Sequence, residues 1–328
     1  MIHYYAQDGG VLHATAGQPG VAIPPGTLWI DLMDPEPGEA AFIAEALGVE
    51  IPGREAIVEI EETSRLYQHA GTLYMNATLV SGLREQRPIS SDVMFVVAPD
   101  YLVTVRYANL PFFEYLEDKF LREPETHASS EQIFLSLCGS VVDHIADMLE
   151  LMQRELDEMS GAVFSEERGA APRSKGSRTD LQQVVKRLGR HNSALVKLRE
   201  SLTGMGRVVD YSNAWSELWL SEQGLDRSRS IERDIRSLVD YVAKMFDEIA
   251  FLLSATLGLI DIEQNSIIKV FSIAAVLFLP PTLVGTVYGM NFRSMPELDW
   301  AFGYPVALGL MVVSAILPYA WFKWKGWF

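Results

Sequence analysis

Two long segments without a charged residue lie near the C-terminal end of the chain, Val270 to Phe292 and Ala301 to Phe322. Each exceeds the roughly 20 apolar residues that an α-helix needs to cross about 30 Å of hydrocarbon. Since so few residues separate them, they predict a helical hairpin. We predict a first transmembrane helix over 267–292, an external loop over 293–300 and a second transmembrane helix over 301–322.

Upstream of this hairpin, the apolar residues predict three long helices. The first runs from Ser129 to about Phe164, the second from about Asp180 to Leu220, and the third from about Asp226 to Met290. Ser129, followed three residues later by Gln132, resembles a capping box at the start of the first helix. Glycines and a proline within Glu166–Thr179 predict a break, and Gly224 predicts another.

The third predicted helix contains no proline before Pro280 and would be on the order of 100 Å long. Its apolar residues are spaced alternately four and three residues apart, and a second series with a seven-residue spacing lies beside them. We therefore expect this helix to be buried against more than one neighbouring helix. An intramolecular bundle and a homo-oligomeric stalk both fit. We favour the stalk because this helix runs directly into the first span. The first series is Ile231, Ile235, Leu238, Val242, Met245, Ile249, Leu252 and Thr256.

Residues 1–125 have a mixed α/β pattern, and residues 126–266 carry the long helices that form a bundle and stalk. Pro99-Asp100 predicts a hairpin turn between two of the strands. The predicted strands are Ile2–Ala6, Leu28–Leu32, Thr72–Val80, Asp92–Val97 and Tyr101–Arg106, and the predicted short helices are Gly38–Leu47 and Glu55–Glu62. The fold class is therefore α+β with a membrane hairpin.

Charge is divided unevenly between these parts. The chain carries a net charge of −16, of which residues 265–328 contribute +2, from four basic and two acidic residues, so residues 1–264 carry −18. Such an acidic domain argues against binding nucleic acid and is compatible with divalent cations. The single cysteine, Cys138, excludes an internal disulfide framework. No glycine-rich phosphate loop, HExxH or nucleophile elbow occurs, so we do not expect an enzyme or an organic cofactor.

The basic residues also predict the orientation in the membrane. Lys269 lies just inside the first span, and Lys323 and Lys325 lie in the basic tail, 323–328, after the second. By the positive-inside rule, both termini are expected in the cytoplasm. The first residues of the chain lack the apolar region of a signal peptide, which agrees with this orientation. We expect a multi-pass protein of the cytoplasmic (inner) membrane.

The first predicted span concentrates its hydrogen-bonding side chains on one side. At 100° per residue these positions fall within one arc of about 100°, whereas the opposite side carries bulky residues such as Ile273 and Phe278. Polar residues in a span usually face protein or water rather than lipid, so the arc is either a helix-packing stripe or the lining of a pore. We favour the pore, because the Gly-Met-Asn sequence follows it. The arc contains Asn265, Ile268, Ser272, Ala275, Leu279, Thr282, Thr286 and Met290.

The arc contains no charged residue, which favours the passage of a hydrated cation. Mg²⁺ prefers oxygen ligands and gives up its water reluctantly. Rings of amide and hydroxyl oxygens can contact the hydrated ion without holding it too tightly for release. Ile268 and Leu279 would form apolar rings that close by dewetting.

These motifs resemble the CorA family of magnesium and cobalt transporters over essentially the whole chain. The clearest match is Tyr288-Gly289-Met290-Asn291-Phe292, which closes the first span. Weaker matches in the N-terminal part are Trp29-Ile30-Asp31-Leu32 and Glu59-Ile60-Glu61 with Ser64-Arg65. The other matches are Ile262-Glu263-Gln264-Asn265, Phe278-Leu279-Pro280-Pro281-Thr282-Leu283-Val284, Met295-Pro296-Glu297-Leu298, Phe302-Gly303-Tyr304-Pro305 and the Lys323–Phe328 tail.

The resemblance implies a homopentamer with an N-terminal α/β/α cytoplasmic domain, a funnel of long helices and a pore lined by the first span. It implies that an Asn291 ring is the selectivity filter, shaped by Gly289 and Met290, and that Asn265, Ile268 and Leu279 are pore and gate positions. Relatives often have methionine or leucine at gate positions, so the isoleucine at 268 departs from the pattern. The candidate residues of the external loop are Glu297 and Asp299. Glu297, within Met295-Pro296-Glu297-Leu298, resembles the magnesium-transporting members of the family more than the zinc-transporting relatives.

The resemblance further implies regulatory divalent sites between subunits, formed by acidic residues. The candidates here are Asp92 in the N-terminal part and Asp234, Asp240 and Asp247 on the third helix, although these residues also fit an ordinary solvated surface. Mg²⁺ would then be both the transported and the regulatory ion.

We therefore expect a divalent-cation channel for Mg²⁺, and for Co²⁺ and possibly Ni²⁺, gated by intracellular Mg²⁺. The alternatives are a Zn²⁺-transporting relative and a non-conducting membrane-anchored scaffold or sensor.

Overall fold

The computed structural model of the protein describes residues 1–8, 11–54, 65–82, 89–122, 129–164, 180–291, 295–296 and 300–326. It divides into two compact units, Met1–Leu253 and Ser254–Phe328. The strands are β1 Ile2–Asp8, β2 Val11–Gly17, β3 Thr27–Met33, β4 Leu66–His69, β5 Thr72–Ser81, β6 Ile89–Val97 and β7 Leu102–Arg106. The helices are α1 Pro37–Leu47, α2 Pro111–Arg122, α3 Ser130–Phe164, α4 Leu181–Ala214, α5 Ser216–Trp219, α6 Glu222–Tyr288 and α7 Gly303–Trp324.

The seven strands form one mixed sheet in the order β2-β1-β3-β7-β6-β5-β4. All pairs are antiparallel except β3 and β7. All five predicted strands are confirmed, including the hairpin at Pro99-Asp100, where Val97 is in register with Leu102. The sequence missed β2 and β4, which are the two edge strands. An edge strand buries less apolar surface, so its alternating pattern is weak.

Helices cover both faces of the sheet, as the predicted α/β/α arrangement requires. On one face, Ile43 of α1 belongs to a core cluster with Ile30 and Leu32 of β3. On the other face, the indole of Trp29 lies 5.9 Å from the ring of Phe120 in α2, a helix that the sequence analysis did not assign. Successive residues of β3 therefore point into two different cores, in accordance with the period of a strand.

The parallel pair β3–β7 is joined by a buried ion pair. Arg106 Nη2 donates to Asp31 Oδ2 at 2.8 Å, with the two side chains 7% and 1% exposed. Thr104 Oγ1 donates to Asp31 Oδ1 at 2.7 Å and accepts from Trp29 Nε1 at 2.9 Å. The guanidinium also lies 4.5 Å above the ring of Phe113. Such a network compensates for the loss of hydration by satisfying the charged groups with hydrogen bonds.

The predicted long helices are present, with corrected ends. Ser129 Oγ accepts from Gln132 N at 3.2 Å, as expected for the cap of α3. The second helix ends at Ala214 rather than Leu220, and the short α5 follows. Gly224 is not a break, because α6 already begins at Glu222.

The start of α6 is held by a carboxylate from α3. Glu131 Oε1 accepts from Ser221 N at 3.0 Å and from Ser221 Oγ at 2.7 Å, and Ser221 Oγ accepts from Gly224 N at 3.0 Å. A Cβ atom at position 224 would collide with the Glu131 carboxylate. Gly224 is therefore needed for close approach within the first turn of the helix.

The main heptad series of α6 is buried inside the single chain. Val242, Met245 and Leu252 are at most 1% exposed, without any second copy present. Contacts with α3 and α4 account for this, for example Ile235 packing against Gly206. Contacts within the chain therefore bury most of this series, which fits the intramolecular bundle, and the oligomeric stalk stays a prediction.

Three described helices are long and apolar enough to cross a membrane: α3, α6 and α7. The most apolar 18-residue window of α3 is 67% buried, whereas those of α6 and α7 are 0% and 11% buried.

The helix predicted at Glu55–Glu62 and the break at Glu166–Thr179 lie outside the described residues.

Replacing Asp31 with alanine should destabilise the first unit by about 3–5 kcal/mol, because it leaves the buried Arg106 charge without its partner. Thermal unfolding of the full-length protein in detergent measures the effect. The double variant Asp31→Leu/Arg106→Met, which removes both charges, should be more stable than Asp31→Ala. Equal stability of Asp31→Ala and wild type would contradict this role for the ion pair.

Candidate functional site

The predicted pore stripe lies on an uncovered face of α6. Every one of its positions is exposed in the structure, including Ile268 at 61% and Leu279 at 68%. The exposed set is Asn265, Ile268, Ser272, Ala275, Leu279, Thr282, Thr286 and Met290. The structure therefore leaves free the side of the helix that the sequence predicted to be functional.

Helix α7 packs on the other side of the same helix. A Cβ atom at Gly285 would lie 3.0 Å from Met311 Cε of α7, so the two helices approach closely there. On α7, Gly303, Ala307 and Phe322 are buried. The sequence pattern predicts bulky residues on the side opposite the stripe but does not indicate Gly285 as the contact point. The half-buried positions on α6 include Ile273, Leu277, Pro280, Pro281, Val284 and Tyr288.

The hydroxyl groups of the two threonines in the stripe direct their oxygen lone pairs, and not their hydrogens, away from the helix. Thr282 Oγ1 donates to the carbonyl of Phe278 at 2.7 Å, and Thr286 Oγ1 donates to the carbonyl of Thr282 at 2.8 Å. Since each hydroxyl hydrogen is used within the helix, only lone pairs remain for a ligand. Oxygen lone pairs suit a cation or its bound water.

Helix α6 ends at Tyr288, two residues before the predicted end. Gly289 N donates to the carbonyl of Gly285 at 3.0 Å, and Met290 N donates to the carbonyl of Val287 at 3.3 Å. A Cβ atom at Gly289 would lie 3.3 Å from the Gly285 carbonyl oxygen, so a larger residue would crowd the end of the helix. Asn291 follows and is exposed. The negative end of the helix dipole and an exposed amide thus occur together at this terminus.

The candidate regulatory carboxylates do not come together among the residues that the structure describes. Asp234, Asp240 and Asp247 are exposed on α6, whereas Asp92 lies on β6, where its Oδ1 accepts from Thr78 Oγ1 at 2.5 Å. Among the described residues there is no group of three or more histidine, cysteine, aspartate or glutamate side chains that could hold a metal ion. In the described part of the chain, these residues therefore do not gather into such a group.

Asp234 does lie near another carboxylate, that of Asp143 on α3. The pKa of Asp143 on α3 is raised above its ordinary value, first by partial burial and then by the negative charges of Asp147 and Asp234. Lys119 and Arg227 oppose this shift. The two helices therefore bring like charges together at this point.

The proposed loop residues Glu297 and Asp299 lie outside the described part of the chain.

The second unit thus defines a class of protein: a membrane protein whose apolar helical hairpin exposes a stripe of amide and hydroxyl groups. The family is established by sequence. The CorA-like Mg²⁺ transporter protein family model matches residues 25–324, and the chain belongs to this family, whose members are transporters and not enzymes.

Relatives named magnesium transport protein CorA match over 92% of this chain and 92% of their own lengths. The protein of Yersinia pseudotuberculosis serotype I is 31% identical over 301 residues. Those of Pasteurella multocida and Escherichia coli K12 are 32% and 30% identical over 300 residues.

Two solved structures share the fold along the full chain. The CorA magnesium transporter from Methanocaldococcus jannaschii superposes with a TM-score of 0.76 at 16% identity, covering 100% of this chain and 99% of that one. The full-length CmaX protein gives a TM-score of 0.68 at 16% identity, covering 98% and 96%. The cytoplasmic domain of ZntB from Vibrio parahaemolyticus gives 0.57 at 11% identity over 80% of this chain and 98% of its own.

Replacing Gly285 with leucine should separate α6 from α7, because the new side chain would occupy the space of Met311. We expect a loss of correctly assembled protein, measured by size-exclusion chromatography in detergent. Gly258→Leu is the matched control, since this exposed glycine on the same helix has no described atom within 4 Å of the added Cβ. Equal behaviour of the two variants would contradict the close contact.

Proposed function

We propose that this protein transports Mg²⁺ across the cytoplasmic membrane through a pore formed by α6. The observation that carries the proposal is the uncovered stripe of α6, which ends at the exposed Asn291. In hydrocarbon, a hydroxyl or amide needs protein or water as a partner. A stripe that α7 leaves open is satisfied when several copies enclose a water-filled path. The names of the relatives support Mg²⁺ as the ion.

The proposed assembly is a homopentamer with α6 inside and α7 outside, in the stoichiometry that the family resemblance implies. Both termini are cytoplasmic, residues 1–125 and 126–266 form the cytoplasmic domain and funnel, 267–292 and 301–322 span the membrane, and 293–300 are external. The many exposed apolar side chains of both helices, such as Phe271 at 72% and Leu317 at 65%, would then face lipid or neighbouring copies.

In this pore a ring of Asn291 amides is the selectivity filter, held in place by the turn at Gly289 and Met290. The oxygens of Asn265, Ser272, Thr282 and Thr286 contact the hydrated ion below it. Ile268 and Leu279 form apolar rings that exclude water when narrow. Under conditions that close the wild-type pore, a leak of Mg²⁺ through a Leu279→Asn variant would support the Leu279 ring as a gate, and no leak would oppose it.

The ion preference separates this proposal from its alternatives. A stripe without charge suits Mg²⁺, and by the same chemistry Co²⁺ and Ni²⁺, because it contacts hydration water rather than stripping it. A Zn²⁺ transporter with the same architecture would prefer Zn²⁺ in a direct comparison. A scaffold or sensor would pass none of these ions.

Asn291→Ala should abolish selective Mg²⁺ flux, because a methyl group cannot replace the amide oxygens at the pore mouth. The measurement is Mg²⁺ uptake into proteoliposomes with a negative interior, without nucleotide, and with Co²⁺, Ni²⁺ and Zn²⁺ compared. The potential contributes about 2.3 kcal/mol per charge per 100 mV.

The matched control is Asn192→Ala, which makes the same change at an exposed position on α4, outside the pore helix. It should transport like wild type. Normal flux and ion preference in Asn291→Ala would remove the filter assignment, and no flux in the wild-type oligomer would favour the scaffold.

We further propose that intracellular Mg²⁺ closes the pore by binding between subunits. Residues 1–264 carry −18 in each copy, so five copies repel one another unless counter-ions intervene. The exposed Asp234, Asp240 and Asp247, with Asp92, are the proposed ligands. Loss of bound Mg²⁺ would release the subunits, which is feedback through differential affinity for two states.

Mg²⁺ should therefore protect the cytoplasmic part of the wild-type oligomer from protease, and this protection should change in Asp234→Asn or in Asp240→Asn/Asp247→Asn. Gel analysis of limited proteolysis across a Mg²⁺ titration measures it. Asp226→Asn, an exposed position near the start of α6, serves as the control and should keep the wild-type titration. Wild-type protection that is independent of Mg²⁺ would rule out the feedback.

A further inference from the structure

The C-terminal end of helix α7 combines positive charge with exposed tryptophan. Lys323 and Lys325 lie at this end and are exposed, and Trp321 and Trp324 beside them are 49% and 83% exposed. Among the described residues, neither lysine is paired with a carboxylate. The protein itself therefore leaves this charge uncompensated in the described part of the chain.

A third exposed lysine lies at a similar level on α6. The two helices touch where Gly285 faces Met311. Lys269 lies 16 residues before Gly285, or about 24 Å along its helix. Lys325 lies 14 residues after Met311, or about 21 Å. Because a hairpin reverses the direction of the chain, both distances run toward the same end, where Lys323 also lies.

The described part of the hairpin carries no negative charge at this end. From Asn265 to Gly326, the residues that the structure describes include no aspartate or glutamate. The nearest carboxylates on α6 are Asp261 and Glu263, six residues or more before Lys269, which is about 9 Å along the axis. An anionic ligand would therefore meet ammonium groups here without a repelling carboxylate from the described hairpin.

The end of α7 does not use its lysine side chains as caps. Lys325 N donates to the carbonyl of Trp321 at 3.0 Å, and Gly326 N donates to the carbonyl of Lys323 at 3.2 Å, so both carbonyls have backbone partners. Lys325 Nζ instead lies 5.6 Å from the centre of the Trp321 ring. This cation–π contact holds the ammonium group near the helix, and its outer N–H groups can donate to a ligand.

Apolar surface continues along α7 from this end. Leu317, one turn before Trp321, is 65% exposed. Tryptophan rings lie at the headgroup level of a bilayer, with the apolar body toward the acyl chains. An ammonium group beside such a ring is therefore at the level of the lipid phosphates. A soluble anion would use only the lysines, whereas a phospholipid would cover the apolar surface as well.

We propose that this end of the hairpin binds an anionic phospholipid. The phosphate contacts Lys269, Lys323 and Lys325, whose charge it complements. An acyl chain lies along Trp321 and Leu317. In the proposed orientation this is the cytoplasmic leaflet. The binding depends on the two proposed membrane spans and not on which ion is transported.

Native mass spectrometry of the full-length oligomer in detergent tests the proposal, with phosphatidylglycerol and phosphatidylcholine added at equal concentration. We expect preferential retention of phosphatidylglycerol. Lys323→Gln/Lys325→Gln should reduce this preference about tenfold or more, because each lysine near an anionic lipid contributes about a factor of five. Lys323→Arg/Lys325→Arg, which keeps the charge, should retain it. The control Lys186→Gln/Lys244→Gln removes two exposed charges from the first unit and should leave the preference unchanged.

Equal retention of the two lipids by the wild type, or an unchanged preference in Lys323→Gln/Lys325→Gln, would overturn the proposal. Displacement of the lipid by soluble glycerol phosphate as effectively as by phosphatidylglycerol would also overturn it, because a free anion would then suffice. A change in oligomer size in the glutamine variant, seen by light scattering, would make the lysines a contact between copies instead.

Alkaline carbonate extraction of vesicles that contain the oligomer separates the lipid site from the spans on which it depends. Release of the protein from the membrane would refute the spans and the lipid site together. Protein that stays in the membrane but binds both lipids equally would refute the lipid site alone. None of these measurements uses transport, so their outcome is independent of Mg²⁺ flux.

Discussion

The absence of hydrogen-bonding partners in hydrocarbon is the constraint on which the second unit depends. Within a bilayer, a helix satisfies its own backbone, but each polar side chain must find a partner in protein or water. In α6 the threonine hydroxyls partly meet this need by donating to carbonyls one turn back. Their remaining lone pairs face away from the carbonyls and need protein or water as partners.

The close packing of α7 determines where that polar side can be. Gly285 brings α7 against one side of α6 at Met311, and the stripe lies on the side that remains. Because glycine has no side chain, α7 covers only a small part of the surface of α6 at this contact. The oxygen-bearing positions of the stripe stay uncovered. Helix α6 ends at Tyr288, and the exposed Asn291 follows it.

The charged side chains of the first unit differ in whether they are buried or exposed. Asp31 and Arg106 are buried and paired with each other, and Asp31 also accepts a hydrogen bond from the Thr104 hydroxyl. The carboxylates Asp234, Asp240 and Asp247 are exposed and can repel those of another copy. Buried charge therefore stabilises the sheet, whereas exposed charge remains available for ions and ligands.

The sequence alone determined the two apolar spans, the polar stripe, the Gly-Met-Asn element and the central strands, because each depends on residue order and a fixed period. It also gave the family, since those elements occur at fixed spacing along the whole chain. The heptad series of α6 showed that two sides are buried but could not show what buries them. Only the tertiary structure decided that α3 and α4 cover the main series, that Gly224 makes room for Glu131, and that α7 meets α6 at Gly285. The physical reason is that periodicity reports which side of an element avoids water, whereas the partner on that side is brought there by residues distant in sequence.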